Sequence, residues 1–217
     1  MRYLKSSACK IIRIFSITAI VICTAFTPAE AQNDTPVFDS LKNAFQEGQI
    51  FTALFTHEYN DSFTGEQQYS EGEIWIGRDR YKIEGSNQQM LVDGDISTVY
   101  DGTKNRVIIS EYIEEEDDFA PSRMLQGADS TFSVTEETIP GRGTRVYLQS
   151  EDIFSVFREV LIFIDESGSP VRIEAIDQAD NRLITRFEEG EFTDLREDMF
   201  QLEVPLDAEV IDLRAES

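Results

Sequence analysis

The sequence predicts a mainly β protein, an antiparallel barrel or strongly curved half-barrel of about eleven strands that follows one helix. Apolar and polar residues alternate along most of the chain after residue 50, which is typical of strands with one buried face. Turn-forming stretches such as Asp93-Gly94 divide these segments at short intervals. Helices do not alternate with strands, so a parallel sheet with crossover helices is not expected.

Residues 1–31 are expected to be a cleaved signal peptide. Their apolar run, Ile14–Phe26, is too short to span a bilayer comfortably. The small residues Ala29 and Ala31 follow it at the spacing of a signal cleavage site. Basic residues precede it, namely Arg2, Lys5, Lys10 and Arg13. The secreted chain would then be residues 32–217, predicted to be one domain, with an uncleaved membrane anchor as the alternative.

The composition of the secreted part excludes several classes of function. Cys9 and Cys23 both lie in the leader, so neither a disulfide nor thiol chemistry is expected beyond residue 31. Lipidation at Cys23 is not favoured, because Ile22 precedes it where a lipoprotein signal has a small residue. The full chain has a net charge of −23. Such an acidic chain is not expected to bind nucleic acid or to adhere to anionic membranes. The charge fits either a solvated acidic surface or attraction to a basic partner.

The N-terminal helix is predicted from capping residues and from one apolar face. Thr35 can cap it, Pro36 suits its first turn and Gly48 can end it. The apolar face has the spacing of an amphipathic helix and consists of Val37, Phe38, Leu41, Ala44 and Phe45. A second, short helix is predicted around residues 121–126, before Gly127.

The remaining segments are predicted to be strands. The stretch "FTALFTHEY" (51–59) has its larger apolar residues at alternate positions. The stretch "GEIWIGRDRYKIEG" (72–85) begins as another strand. Further strands are expected at "QMLV", "ISTVY", "NRVIIS", "TFSVTEET", "TRVYLQ", "VFREVLIFID", "PVRIEAID", "NRLITRFEEGEF" and "FQLEVP".

No residue of the secreted chain is predicted to be catalytic. His57 is the single histidine and lies on an apolar strand face, where a structural role is expected. Without a second histidine or a secreted cysteine, neither a zinc site nor a Cys-His pair is predicted. The run "EEEDD" (114–118) lacks the spaced ligands of a calcium loop and is interpreted as solvated. No cofactor and no metal are therefore predicted, although a pair of catalytic carboxylates stays open.

The abundance of apolar side chains on strands instead indicates a lipophilic ligand. The chain holds 15 phenylalanines, seven tyrosines and Trp75. A large antiparallel barrel encloses more space than its own side chains need to fill. Composition and pattern therefore favour a secreted lipid-binding module over an enzyme.

Several motifs together resemble the family of the outer-membrane lipoprotein carrier protein, LolA. Their order and spacing, over nearly all of the secreted chain, carry the resemblance. A Phe-x-Ala-x-Phe strand follows the first helix, and a Gly-x-x-Trp-x-x-Arg strand and a Val-Asp-Gly hairpin come next. The matching positions are Phe51, Ala53 and Phe55; Gly72, Trp75 and Arg78; Val92, Asp93, Gly94 and Tyr100. The stretch "FQLEVPLDAEVID" resembles the closing segment of the family.

The resemblance implies an incomplete, half-open antiparallel barrel with a short helical lid. It also implies a periplasmic chaperone, expected to be monomeric, that binds the acyl chains of lipoproteins. Such a chaperone receives cargo from an inner-membrane lipoprotein-releasing ABC transporter and delivers it to an outer-membrane receptor. A related lipid-binding module, similar to that receptor or to an envelope-stress sensor, is the alternative function.

Two groups of site residues are predicted, the first from the alternation of apolar residues together with the resemblance and the second from the resemblance. The acyl-chain cavity between barrel and lid is expected to be lined by Phe51, Phe55, Trp75, Leu91, Tyr100, Met124 and Leu125. Arg78 is expected to tie the lid shut through hydrogen bonds to lid carbonyls, since a guanidinium offers five donors. Asp79 stands where the family has proline, so it is expected to leave the backbone less restrained and could pair with Arg78. Arg80 and Lys82 are interpreted as outward-facing strand residues.

Overall fold

The computed structural model describes residues 34–113, 117, 121–126 and 132–214. Within them the protein is mainly β, with twelve strands in one unclosed sheet. This confirms the predicted incomplete β-barrel with an N-terminal helix. The spatial order of the strands is β12-β6-β5-β4-β3-β2-β1-β11-β10-β9-β8-β7.

The helices are α1 (Pro36–Gln46) and α2 (Pro121–Gln126). The strands are β1 (Ile50–Asn60), β2 (Gln67–Ile76), β3 (Arg80–Gly85), β4 (Gln88–Asp93), β5 (Ile96–Asp101), β6 (Arg106–Glu111), β7 (Phe132–Ile139), β8 (Gly143–Ser150), β9 (Phe157–Ile164), β10 (Pro170–Asp177), β11 (Arg182–Thr193) and β12 (Glu209–Asp212). No helix in these ranges is long and apolar enough to cross a membrane.

Helix α1 begins at the predicted position, but its N-terminus is capped by a distant residue. Among the described residues, the Thr35 side chain makes no capping hydrogen bond. Instead, the backbone N–H groups of Val37 and Phe38 donate to the Glu136 carboxylate of β7, at 3.1 Å and 3.0 Å. A carboxylate at this end also interacts favourably with the helix dipole. The first helix is therefore fastened to an edge strand.

The register of the ladder divides the sheet into an inner and an outer face. On the inner face, Phe51 pairs with Ile76, Ile76 with Tyr81 and Tyr81 with Val92. These side chains belong to the buried core, together with Phe38, Leu41 and Phe45 of α1 and Met124 and Leu125 of α2. Because successive residues of a strand point to opposite sides, their neighbours in sequence lie on the outer face.

The end of the chain differs from the predicted closing strand. The segment 200–205 was expected to be a strand, but it is a turn at residue 200 followed by irregular chain that crosses the outer face. It is held there by the Glu203 N–H, which donates to the Gln89 side chain at 3.1 Å, and by Phe200, whose ring faces the Arg80 guanidinium. Pro205 has no N–H group to give to a ladder, which explains why the pairing starts later. The closing strand is β12, and it pairs in parallel with β6.

Candidate functional site

A cavity of about 560 Å³ opens on the inner face at one end of the sheet. Its apolar wall is formed by Phe55 of β1, Ile83 of β3 and Met90 of β4. Its polar side includes His57, Ser70 and the turn between β3 and β4 at residues 86–87. This volume lies within the range of small-ligand sites in proteins, which are mostly apolar with a few placed polar groups.

His57 points into this cavity as a neutral ring. Its Nδ1 atom lies 2.8 Å from the Thr185 hydroxyl of the neighbouring strand β11. Burial lowers the pKa of His57 to about 4, and the carboxylates of Asp117 and Glu58 oppose this shift only in part. The imidazole is therefore uncharged at neutral pH, which suits a cavity for an apolar ligand.

One acidic residue of the segment between β6 and α2 is bound on the inner face. Asp117 accepts hydrogen bonds from the hydroxyls of Tyr81 at 2.5 Å and Tyr112 at 2.8 Å. Burial and the Asp117 carboxylate raise the pKa of Tyr81 far above its ordinary value, so this hydroxyl stays a donor. The interpretation of "EEEDD" as a solvated run is thus wrong for Asp117. Its other members, 114–116 and 118, lie outside the described residues.

Helix α2 covers the inner face next to the hydrogen-bonded Asp117. Met124 and Leu125 are almost fully buried in the core, and α2 packs against α1 and β3. A helix of six residues has little stability of its own, so its position depends on this packing. Met124 and Leu125 therefore occupy apolar space that would become accessible if α2 moved.

The residues predicted to line one cavity are distributed over both faces. Phe51, Phe55, Met124 and Leu125 lie on the inner side, in the core. The register puts the other three on the outer face: Trp75 pairs with Lys82, Lys82 with Leu91, and Tyr100 with Val107. Alternation along "EIWIG" indicates this division, because Ile74 and Ile76 point inward on either side of Trp75.

The inner-face cavity also contains residues that the sequence did not single out. Ile83 and Met90 pair with each other, and Ile83 pairs in turn with Ile74. The alternation along β1 places His57 on the same face as Phe55, so the sequence alone could have identified His57 as a cavity residue. The positions of Ile83 and Met90 required the strand register, which no short motif provides.

The basic residues that follow Trp75 differ from one another in environment. Lys82 lies on the outer face, as predicted, but only 8% of its side chain is accessible. Its ammonium group lies 4.5 Å from the Trp75 ring centroid and 3.0 Å from a Glu84 oxygen. Arg80 lies near Asp79 and Asp93, at 3.7 Å and 3.5 Å. Lys82 thus has both a cation–π contact and an ion pair, which explains why its charge is tolerated there.

Arg78 lies in the turn between β2 and β3 and its side chain is exposed. Strand β3, which begins two residues later, is the strand that α2 contacts. The hydrogen bonds that Arg78 was predicted to make to the lid remain a prediction.

The side chains at the cavity suit the binding of a molecule with an apolar body and a polar end. In the described ranges, no group of three His, Cys, Asp or Glu side chains could hold a metal ion. The groups that line the cavity can bury an apolar chain and hydrogen-bond a polar group at its mouth. Phe55 and Met90 supply contact area, and Ser70 and the 86–87 turn supply polar atoms.

Comparison with known proteins gives similarity of fold. No protein-family model matches the sequence, and no curated protein does. An uncharacterized conserved protein from Thermus thermophilus has a similar structure, with a TM-score of 0.50 and 12% identity. The match covers 80% of this chain and 98% of that one. At such identity the likeness concerns the fold alone.

Two further solved structures are similar at lower scores. The LolA superfamily protein NE2245 from Nitrosomonas europaea has a TM-score of 0.41 and 11% identity over 76% of this chain and 97% of that one. A domain from Vibrio parahaemolyticus, whose name refers to outer membrane lipoprotein sorting, has a TM-score of 0.39 and 14% identity. That match covers 75% of this chain and 94% of that one.

Proposed function

We propose that this protein is a periplasmic chaperone that binds the acyl chains of lipoproteins on the inner face of its open sheet. The observation that carries the proposal is the 560 Å³ cavity beside apolar core that the short helix α2 covers. An acyl chain that entered there would leave water, at roughly 0.8 kcal/mol for each buried methylene group. Movement of α2 would extend the cavity toward Met124 and Leu125.

The proposal gives the protein a place between two membranes. The basic and apolar leader would direct it to the periplasm, where it would take cargo from an inner-membrane lipoprotein-releasing ABC transporter. An outer-membrane receptor would accept the cargo. In this scheme Arg78 ties the lid shut, and Trp75, Leu91 and Tyr100 pack beneath the closing segment rather than against the cargo.

A related lipid-binding module is the second candidate. The inner-face cavity suits such a module equally well, because the cavity concerns binding and not release. A receptor-like or sensor-like domain would bind acyl chains on the same face, but it would not hand them over. Release of bound lipopeptide to acceptor vesicles distinguishes the two functions.

The direct test is binding of a fluorescent fatty-acyl probe, followed by its displacement with a lipopeptide. Ser70 lines the cavity, so Ser70→Trp should fill it and weaken probe binding by about tenfold or more, as expected when apolar contact area is lost. Ser133→Trp, on the exposed side of β7, is the matched control. Failure of the wild type to bind any apolar probe would contradict the proposal, as would equal binding by both variants.

A further inference from the structure

The four most exposed large apolar side chains in the described residues all lie at one end of the sheet. Leu206, Phe63, Phe154 and Ile153 have exposed fractions of 108%, 96%, 88% and 74%. Phe63 lies in the turn between β1 and β2, and Ile153 and Phe154 lie between β8 and β9. Leu206 lies just before β12. We call these four residues the apolar tips.

The strand pairing shows that these loops lie at the same end of the sheet. Asn60, the last residue of β1, pairs with Arg182, the first of β11. Asp177, the last residue of β10, pairs with Phe157, the first of β9. At the other side of the sheet, Glu209 of β12 pairs with Arg106. The loops at 61–66, 86–87, 102–105, 151–156, 178–181 and 205–208 therefore form one rim, and the cavity opens at its 86–87 turn.

Hydrogen bonds hold neighbouring loops of the rim together. The Ser62 N–H donates to the Asn181 side chain at 2.8 Å, and the Ser62 hydroxyl donates to the Ala179 carbonyl at 2.7 Å. The Gln178 amide donates to the Asp152 carbonyl at 3.2 Å. Phe63 and Phe154 are thus presented on a connected scaffold.

The backbone N–H groups of two of the tips, Phe63 and Phe154, already have hydrogen-bond partners. The N–H groups of Phe63 and Thr64 donate to one oxygen of Asp61, at 2.9 Å and 2.7 Å. The Phe154 N–H donates to Asp152 in the same way, at 2.9 Å. An unpartnered N–H group is costly in a medium of low polarity, so these turns can leave water with less penalty.

The distribution of the tips favours a lipid surface over a protein pocket. They belong to loops at one edge of the sheet (β12), at its middle (β1 and β2) and near its other edge (β8 and β9). A docking protein binds best to one contiguous apolar patch, whereas a fluid, planar surface can accept separate tips along a rim.

The charges of the rim restrict the kind of lipid. Carboxylates accompany the tips in every loop that carries one: Asp61 and Glu66, Glu151 and Asp152, and Asp207. Anionic lipid would repel them, and added salt would screen this repulsion.

We propose that the rim is a membrane-contacting surface whose apolar tips insert into the head-group region of a zwitterionic bilayer. The inference deepens the proposed function and rests on it for its biological purpose, because the rim also holds the mouth of the cavity. A bound acyl chain could then pass between cavity and bilayer without crossing water. Contact with vesicles, however, is measured without any cargo.

The experiment uses protein purified from the periplasm, with its N-terminus verified by mass spectrometry. Co-sedimentation with phosphatidylcholine vesicles is compared between the wild type and a quadruple variant. This variant combines Phe63→Ser, Ile153→Ser, Phe154→Ser and Leu206→Ser. The control is Leu195→Ser with Leu213→Ser, two exposed leucines that follow β11 and β12 at the opposite end. All three proteins should share one melting temperature, since only exposed side chains change.

The wild type and the control should bind phosphatidylcholine vesicles equally. The quadruple variant should bind on the order of 100-fold more weakly. Phosphatidylglycerol vesicles should bind less protein at low salt, and more as salt is added. No binding by the wild type, or equal binding by the quadruple variant, would overturn the inference. A preference for anionic vesicles at low salt would also overturn it. Probe binding measured in parallel tests the proposed function separately, because the tips lie outside the cavity.

Discussion

At the scale of single residues, His57 shows how burial determines charge in the cavity. Burial lowers its pKa to about 4, from the ordinary value of 6.5. Between these values the unfolded chain binds a proton that the folded protein does not. The free energy of unfolding therefore decreases as the pH falls from 6.5 to 4, by up to about 3 kcal/mol from this residue.

His57→Gln should remove this pH dependence without removing function. Its stability at pH 7 should change by only about 1 kcal/mol, because an amide can still reach the Thr185 hydroxyl. Urea unfolding at pH 7 and pH 4.5 measures both effects. The free energy of unfolding of the variant, relative to that of the wild type, should be higher at pH 4.5 than at pH 7. Loss of acyl-probe binding in a well-folded variant would instead indicate a direct part for His57 in binding.

Arg78 is the residue expected to balance the closed and open states of the lid. A carrier must also release its cargo, and cargo shifts the equilibrium only by its differential affinity for the two states. Arg78→Leu should remove hydrogen bonds of the closed, empty state and so slow the release of lipopeptide to acceptor vesicles. Lys at this position should restore release in part, since it lacks the planar fork.

Arg142→Leu is the matched control for Arg78→Leu, because Arg142 is an exposed arginine in the turn between β7 and β8. It should release lipopeptide like the wild type. Equal release by all variants would mean that Arg78 is an ordinary surface residue and that other contacts hold the lid.

At the scale of elements, the N-terminus of α1 depends on a residue about a hundred positions away. Glu136 receives hydrogen bonds from Val37 and Phe38, whereas the predicted cap was Thr35. Glu136→Ala should lower the free energy of unfolding by about 1–2 kcal/mol, as for the loss of a helix cap. Thr35→Val should cost less than about 0.5 kcal/mol by the same reasoning. Urea denaturation would contradict this assignment if Thr35 proved the more sensitive.

Helix α2 contributes buried side chains to the core, and the proposed function requires it to move when cargo binds. Leu125 is fully buried, so Leu125→Ala should leave a cavity and weaken the packed position of the helix. In the proposed function α2 and the cargo occupy the same apolar face, so the variant should bind an acyl probe more tightly, by about tenfold for each 1.4 kcal/mol of lid stability lost. Weaker binding would show that Leu125 contacts the probe directly instead of excluding it.

The elements also show what the sequence could and could not predict. Alternation identified β1, and Asp93-Gly94 marked the hairpin of β4 and β5, where Gly94 has a positive φ of 60°. These signals are local. By contrast, Asp117 between two tyrosines, Glu136 at α1 and the parallel pairing of β12 all depend on segments distant in sequence. No local pattern encodes such contacts.

The sequence could predict only in part which side chains lie on the inner face and which on the outer face. The alternation around Trp75 already indicates that it points away from Ile74 and Ile76. The motif positions that carried the family resemblance lie on both faces, and the prediction grouped Trp75, Tyr100 and the nearby Leu91 with Phe51 and Phe55. The strand register was needed to separate them.

At the scale of the whole molecule, the sheet combines an apolar interior with a strongly acidic exterior. The net charge of −23 keeps such a protein soluble and excludes nonspecific adhesion to anionic surfaces. The apolar surface is concentrated on the inner face, under α1 and α2, and at the rim. This distribution suits a protein that meets membranes only at one end and carries an apolar chain between them.

The most direct test of acyl-chain transport is to identify what the protein binds in its own compartment. Wild type and Arg78→Leu are recovered from the native periplasm, and the co-purified molecules are identified by mass spectrometry. Acylated lipoproteins or lipids are expected in both samples, with more in Arg78→Leu because its release is slower. Ser70→Trp should carry less than the wild type. Samples that hold no acylated molecule above a mock purification, or that hold equal amounts in all three proteins, would contradict the account.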